Sequence, residues 1–152
     1  MKKFIFTAIL VVSAITSQAQ DVIWHTDVAK ATQISQKQSK PLMLFFTGSD
    51  WCGWCKRLQA EVFMTDAFKE WAISNVILVE LDFPRTFQLP QDVMVQNSNL
   101  AQMFGIRGYP TVWFVNSVIK ENQISFDRLG STGYVAGGPQ AWIANANAII
   151  KK

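Results

Sequence analysis

Apolar residues recur along this chain with two different spacings, and the switch between them outlines the elements. Val28, Ala31 and Ile34 return at helical intervals, predicting an amphipathic helix over residues 27–38 that ends before Pro41. The apolar run Leu42-Met43-Leu44-Phe45-Phe46-Thr47 then reads as a buried strand. Residues 52–62 return to helical spacing with Cys55, Leu58 and Val62 on one face, and Thr65 or Asp66 caps a continuation through Phe68, Trp71 and Ala72. A second buried strand is predicted over 76–83, apolar apart from Glu80 and Asp82. After a polar turn region at 84–90, a helix over 91–104 ends at Gly105, a residue suited to the left-handed position past a helix. Strands at 112–116 and 123–129 follow, the second with Ile124, Phe126 and Leu129 inward. A glycine-rich loop at 130–138 leads to a last helix, with Pro139 in its first turn and Trp142, Ile143, Ala146 and Ile150 as its apolar stripe.

The order helix, strand, helix, strand, helix, strand, strand, helix predicts an α/β fold: a central mixed sheet of about four strands with helices on both faces. The first strands should be parallel and the last two antiparallel. The segment before residue 27 leaves room for an extra N-terminal strand. No internal repeat, long linker or low-complexity tract divides the chain, which implies one domain over 20–152.

Residues 1–19 are set apart by Lys2 and Lys3, an apolar stretch over 4–15, and small residues at Ser17 and Ala19. This is the pattern of a cleaved signal peptide with the cut before Gln20, and the stretch is shorter than the roughly 20 residues a membrane-spanning helix needs. The expected location is therefore outside the cytoplasm, in the periplasm or cell envelope, with no stable membrane insertion after cleavage. Export also changes the charge. The whole chain has 14 basic and 11 acidic residues, a net of +3, but losing Lys2 and Lys3 leaves a net of +1 and no basic run to track a phosphate backbone. Nucleic acid is excluded as a partner on this reading.

Cys52 and Cys55 are the only two cysteines, set in Trp51-Cys52-Gly53-Trp54-Cys55-Lys56 directly after the first buried strand. In an exported domain a lone pair could be a structural disulfide, but a bridge closing so short a loop adds little stability. A reactive dithiol/disulfide explains the pair better. Cysteines at i and i+3 in a first helical turn can bridge and open without unfolding anything. Cys52, at the helix start, faces unpaired amide N–H groups and the positive end of the helix dipole, so it is the expected nucleophile. Cys55, one turn inside and toward the sheet, is the expected resolving thiol.

Zinc would need about four ligands, and the chain offers this pair and the lone, distant His25, so no metal or other cofactor is expected beyond the disulfide itself. The loop at 130–138 lacks the lysine and spacing of a phosphate loop, and is read as a turn bordering the client groove.

With the strand and site Phe46-Thr47-Gly48-Ser49-Asp50-Trp51-Cys52-Gly53-Trp54-Cys55-Lys56, the strand end Val79-Glu80-Leu81-Asp82, and Phe104-Gly105-Ile106-Arg107-Gly108-Tyr109-Pro110-Thr111, the chain resembles the thioredoxin superfamily, specifically its exported bacterial thioredoxin-like members. The resemblance implies a thioredoxin-like fold. It also implies a cis-proline at Pro110 facing the cysteines, with the Tyr109 backbone pairing with an extended client segment. Trp51 and Trp54 flank the reactive sulfur, and at least one should form an apolar platform for clients. The expected client-binding set is thus Trp51, Gly53, Trp54, Tyr109 and Pro110. Two departures stand out: Gly53-Trp54 replaces the Gly-Pro of thioredoxin proper, which leaves the reduction potential open. The buried acid that thioredoxins keep six residues before the first cysteine falls at Phe46, with Glu80 or Asp82 as candidate substitutes.

The function expected is that of an exported, monomeric thiol–disulfide oxidoreductase. It exchanges disulfides with cysteine-containing protein clients and a thiol–disulfide electron donor or acceptor, with reduction or isomerisation preferred over net oxidation. The alternatives are a copper-handling metallochaperone on the same fold, since paired thiolates bind Cu(I), and a non-enzymatic peptide-binding module.

Overall fold

The computed structural model describes residues 21–121 and 123–151, so the signal peptide expected at 1–19 lies outside the described residues. Five strands form one sheet in the order β1-β3-β2-β4-β5, where β1 is Trp24–His25, β2 Leu42–Thr47, β3 Ile77–Asp82, β4 Thr111–Lys120 and β5 Gln123–Thr132. The strands β1, β3 and β2 run parallel, and β4 and β5 antiparallel, as the alternation of elements predicts. The fifth strand is the N-terminal one, which pairs Trp24 with Leu78 and His25 with Val79.

Because strand side chains alternate, β2 divides its wholly buried residues between two cores. Met43 and Phe45 join Cys52, Cys55, Leu58, Val62, Phe63, Phe68 and Trp142 on one face of the sheet. Leu42, Leu44 and Phe46 join Val28, Ala31, Leu100 and Phe104 on the other. The first face is covered by helices α2 (Gly53–Leu58), α3 (Asp66–Asn75) and α5 (Gly138–Ile150), the second by α1 (Val28–Gln38) and α4 (Gln91–Met103). Aromatic rings dominate the first core, where Trp142 meets Phe63, Phe68, Trp71 and Phe114 edge-on or tilted. Such pairs add roughly 0.5–1.5 kcal/mol each beyond the area they bury.

Three elements differ from their sequence patterns. The helix expected over 52–62 is α-helical only to Leu58 and then widens into a π turn, Gln59–Phe63, in which the Met64 amide reaches the Gln59 carbonyl at 2.9 Å. The wider turn lets the consecutive residues Val62 and Phe63 both enter the core. Thr65 then caps α3, accepting from the Phe68 amide. The strand expected over 112–116 continues to Lys120, and its partner continues to Thr132, so Gly130 belongs to β5 and not to the loop. A register shift opposite Phe114 and Val115 places Leu129 as the extra residue, and Gly130 takes φ 154° against the Ile149 side chain.

Candidate redox-active site

Local chemistry sets the turn from β2 into α2. Asp82, at the end of β3, accepts the Ser49 amide at 2.8 Å and the Ser49 hydroxyl at 2.6 Å. The Cys52 amide donates to the Gly48 carbonyl at 2.8 Å. These bonds deliver Cys52 as the residue that caps α2, in extended conformation, with its sulfur accepting the Cys55 amide at 3.2 Å. A sulfur in that position is where negative charge at a helix start is favoured.

Cys52 and Cys55 are bridged, with α-carbons 5.3 Å apart. Cys55 is fully buried and Cys52 is 5% exposed, so Cys52 is itself nearly covered in the disulfide form. The cavities of about 460 and 190 Å³ are lined by neither cysteine. The segment that carries the bridge is flanked by aromatic rings on two sides.

On one side Trp51 donates from its indole Nε1 to the Phe83 carbonyl at 2.8 Å, and its ring meets Tyr109 edge-on at 5.6 Å. The Arg85 guanidinium lies 3.7 Å over the Trp51 ring, and Tyr109 also touches Phe83. The turn that carries Arg85 is tied down by Asp50, whose carboxylate accepts the Arg85 and Thr86 amides and the Thr86 hydroxyl. Those bonds, the Thr86 hydroxyl foremost, hold the Asp50 carboxyl down at about 2 although partial desolvation opposes them. On the other side Trp54, 55% exposed, packs on Tyr134 from the loop after β5, with ring centres 5.2 Å apart. Of the two tryptophans it is thus Trp54 that offers an open platform. Trp51 is held inward by its hydrogen bond.

The Tyr109–Pro110 peptide bond is cis, and the next residue, Thr111, pairs with Phe46 at the end of β2 that leads to the cysteines. Gly53 carries no close neighbour on its side-chain position, so the backbone between the cysteines is open to approach. Lys56 donates to the Asp50 carbonyl at 2.8 Å, and Arg57 pairs with Glu61 at 2.7 Å.

The position counted from the resemblance as that of the buried acid, Phe46, points to the opposite face of the sheet, against Phe104. Phe45 occupies the cysteine side, because the two residues alternate along the strand. Glu80 is the register partner of Phe45 and shares its face by alternation, and burial, with Asp82 adding to it, pushes its carboxyl up from the ordinary value. Asp82 is committed to Ser49 and to the Phe83 amide. His25 lies on the edge strand β1, two strands from β2, and among the described residues no three His, Cys, Asp or Glu side chains gather as a metal site. Tyr134, Arg85 and Glu61 were not singled out by their sequence. Only the aromatic character of Tyr134 within a glycine-rich loop hinted at a role.

Known proteins share this fold. A family model described as a thioredoxin-like domain matches residues 28–121. The disulfide bond reductase DsbH of Chlamydia pneumoniae is 30% identical over 133 residues, taking in 88% of this chain and 75% of that protein. A solved structure of a DsbH oxidoreductase is similar with a TM-score of 0.79 at 26% identity, covering 95% of both chains. A thioredoxin from Thermus thermophilus, 14% identical, shares the fold at a TM-score of 0.61 over 86% of this chain and 88% of its own. With the bridged Cys-Gly-Trp-Cys at the start of α2, these matches show that the chain belongs to the thioredoxin-like family, as a thiol–disulfide oxidoreductase.

Proposed function

We propose that this protein, once exported, reduces disulfides in cysteine-containing polypeptides of the periplasm or cell envelope, with Cys52 as nucleophile and Cys55 as resolving thiol. The observation that carries the reading is the capping geometry: the Cys52 sulfur accepts the Cys55 amide at the helix start, while Cys55 is fully buried behind it. The likeness to a protein named a disulfide bond reductase supports the direction.

In the reduced enzyme the Cys52 thiolate attacks one sulfur of a client disulfide and the other client sulfur leaves as a thiolate. Cys55, deprotonated, then attacks the Cys52 sulfur and releases the second client thiolate. The two protons of the enzyme thiols end on the client thiols. Two electrons pass to the client, and a dithiol donor restores the pair. No bound cofactor or metal is needed for any step. In this scheme Trp51, Gly53, Trp54 and the Tyr109–Pro110 segment frame the client, which lies along the surface as an added strand against the Tyr109 backbone. The enzyme acts as a monomer, and the domain spans residues 20–152 once residues 1–19 are removed as a signal peptide.

Trapping tests the roles. The Cys55→Ser variant should accumulate mixed disulfides with client proteins through Cys52, and Cys52→Ser should trap none and lose insulin-reducing activity. A Cys52→Ser variant that still reduces insulin would overturn the assignment. A reduction potential of about −270 mV would fit a reductase, whereas about −120 mV would make the enzyme an oxidant.

A further inference from the structure

Three side chains from two distant parts of the chain, Arg57, Glu61 and Tyr134, close a ring with the one open tryptophan, Trp54. The Glu61 carboxylate uses Oε1 to accept Arg57 Nε at 2.7 Å and Oε2 to accept the Tyr134 hydroxyl. The Arg57 guanidinium lies over both the Trp54 ring, at 5.3 Å, and the Tyr134 ring, at 5.1 Å. The circuit closes with Tyr134 against Trp54. Tyr134 stands in the loop between β5 and α5, which is itself fastened by the Trp142 indole donating to the Gly133 carbonyl at 3.0 Å.

The Arg57–Glu61 pair is a solvent-facing i,i+4 contact, and such pairs contribute little by themselves. Its value here is geometric. Trp54 lies between the cysteines, and a ring left 55% exposed would ordinarily sample several rotamers. Contact from the tilted Tyr134 ring and the Arg57 guanidinium fixes it in one, so that binding does not have to order it.

We propose that the Tyr134–Glu61–Arg57 circuit is the specificity-determining device of the enzyme, holding Trp54 as a rigid platform that selects polypeptide disulfides with an apolar or aromatic side chain beside the reacting cysteine. This rests on the reading of the protein as a reductase of polypeptide disulfides. Tyr134, Glu61 and Arg57 are positioning residues in it, acting through Trp54 and touching no reacting sulfur. An aromatic contact of this kind is worth about three- to tenfold in affinity.

The test uses the whole mature protein and two peptide disulfides of one sequence, with Phe or Gly next to the reacting cysteine. Wild type should favour the Phe peptide by about three- to tenfold in kcat/KM, carried by KM and not kcat. Tyr134→Ala should reduce that ratio to near one, and Tyr134→Phe, which keeps the ring but loses the tie to Glu61, should keep part of it. Should Tyr134→Ala not fold, Glu61→Gln unties the same ring from the surface and should lower the ratio as well. A wild type that reduces both peptides without preference overturns this inference alone, as does a folded Tyr134→Ala that keeps the preference. A wild type that reduces neither peptide overturns the reductase reading with it.

Discussion

Gly48 lies flat against the indole of Trp51, so close that a β-carbon on Gly48 would stand 2.4 Å from the ring. The same glycine supplies the carbonyl that accepts the Cys52 amide, so one residue sets both the ring and the position of Cys52. Trp51 has no room to retreat, being bonded to the Phe83 carbonyl and covered by Arg85 and Tyr109. Gly48→Ala should therefore destabilise the protein by about 1–3 kcal/mol, as overpacking does, and slow its reaction with a disulfide substrate. Urea unfolding and an insulin-reduction assay check this, and a variant with an unchanged midpoint and rate would contradict it.

Asp50 makes the neighbouring turn sensitive to acid. Its carboxyl titrates at about 2 in the folded protein against an ordinary 3.8, because the Thr86 hydroxyl and the Thr86 and Arg85 amides bond the charged form. A depressed folded pKa contributes stability that is present above 3.8 and is lost as pH falls through about 2. Asp50→Asn should remove that component, leaving stability flatter than wild type between these two pH values. Because Asp50 holds the turn carrying Arg85, the variant should also loosen Trp51, seen as faster hydrogen exchange at the Arg85 and Thr86 amides at neutral pH.

What the sequence disclosed follows from how much of each signal is local. The run at 42–47 has the bounds of β2 because every residue in it is buried, and an unbroken apolar run needs no phase to be recognised. Thr65 caps α3 through its own neighbour Phe68, so its role is written within four residues of chain, whereas Asp27, read as part of the first helix, is its cap. β1 is two residues long and exists by pairing with β3, a contact that no periodicity in the sequence announces. The outer parts of β4 and β5 hold each other as a hairpin, so Asn116 and Ser117 interrupt the apolar pattern without ending the strand. Which of Phe45 and Phe46 lies under the cysteines depends on the phase of β2 relative to the turn after it, and counting back from Cys52 does not give that phase. Within the site the cysteines, Trp54 and Tyr109–Pro110 stood out as motif residues, while Tyr134 reaches Trp54 across 80 positions of chain.

Thr47 extends the row of Met43 and Phe45 on the cysteine side of β2, fully buried, with a hydroxyl that has no hydrogen-bond partner among the described residues. A buried hydroxyl left unpaired costs roughly 1–3 kcal/mol. Replacing it by the isosteric Val should stabilise the folded protein by about 1 kcal/mol, raising the urea midpoint. A lowered midpoint in Thr47→Val would show that the hydroxyl finds a partner in solution. Comparison of the oxidised and reduced proteins would then show whether that partner is a thiol of the open pair.

Glu80 carries the other unusual polar group on that face. It pairs in register with Phe45, borders a cavity of about 190 Å³ with Trp24, Phe45, Phe63 and Met64, and has no ion-pair partner among the described residues. Burial is the main reason its carboxyl is pushed up from the ordinary 4.5, and the Asp82 charge adds to it. A raised folded pKa in a carboxyl means that ionisation opposes folding. The stability is fullest below 4.5, where Glu80 is protonated in both states, and falls as pH rises through the elevated folded value. Above that elevated value the whole penalty is in force. Glu80→Gln keeps the shape without the charge, so it should be more stable than wild type at pH 7, and the difference should vanish below about pH 4. Urea midpoints of the two proteins at both pH values decide the matter: a Gln variant weaker than wild type at pH 7 would mean that the carboxylate has a stabilising partner in solution. If Glu80 also takes the proton of Cys55, the same variant should slow release of a trapped mixed disulfide and flatten its pH dependence, an effect that relief of a buried charge alone does not produce.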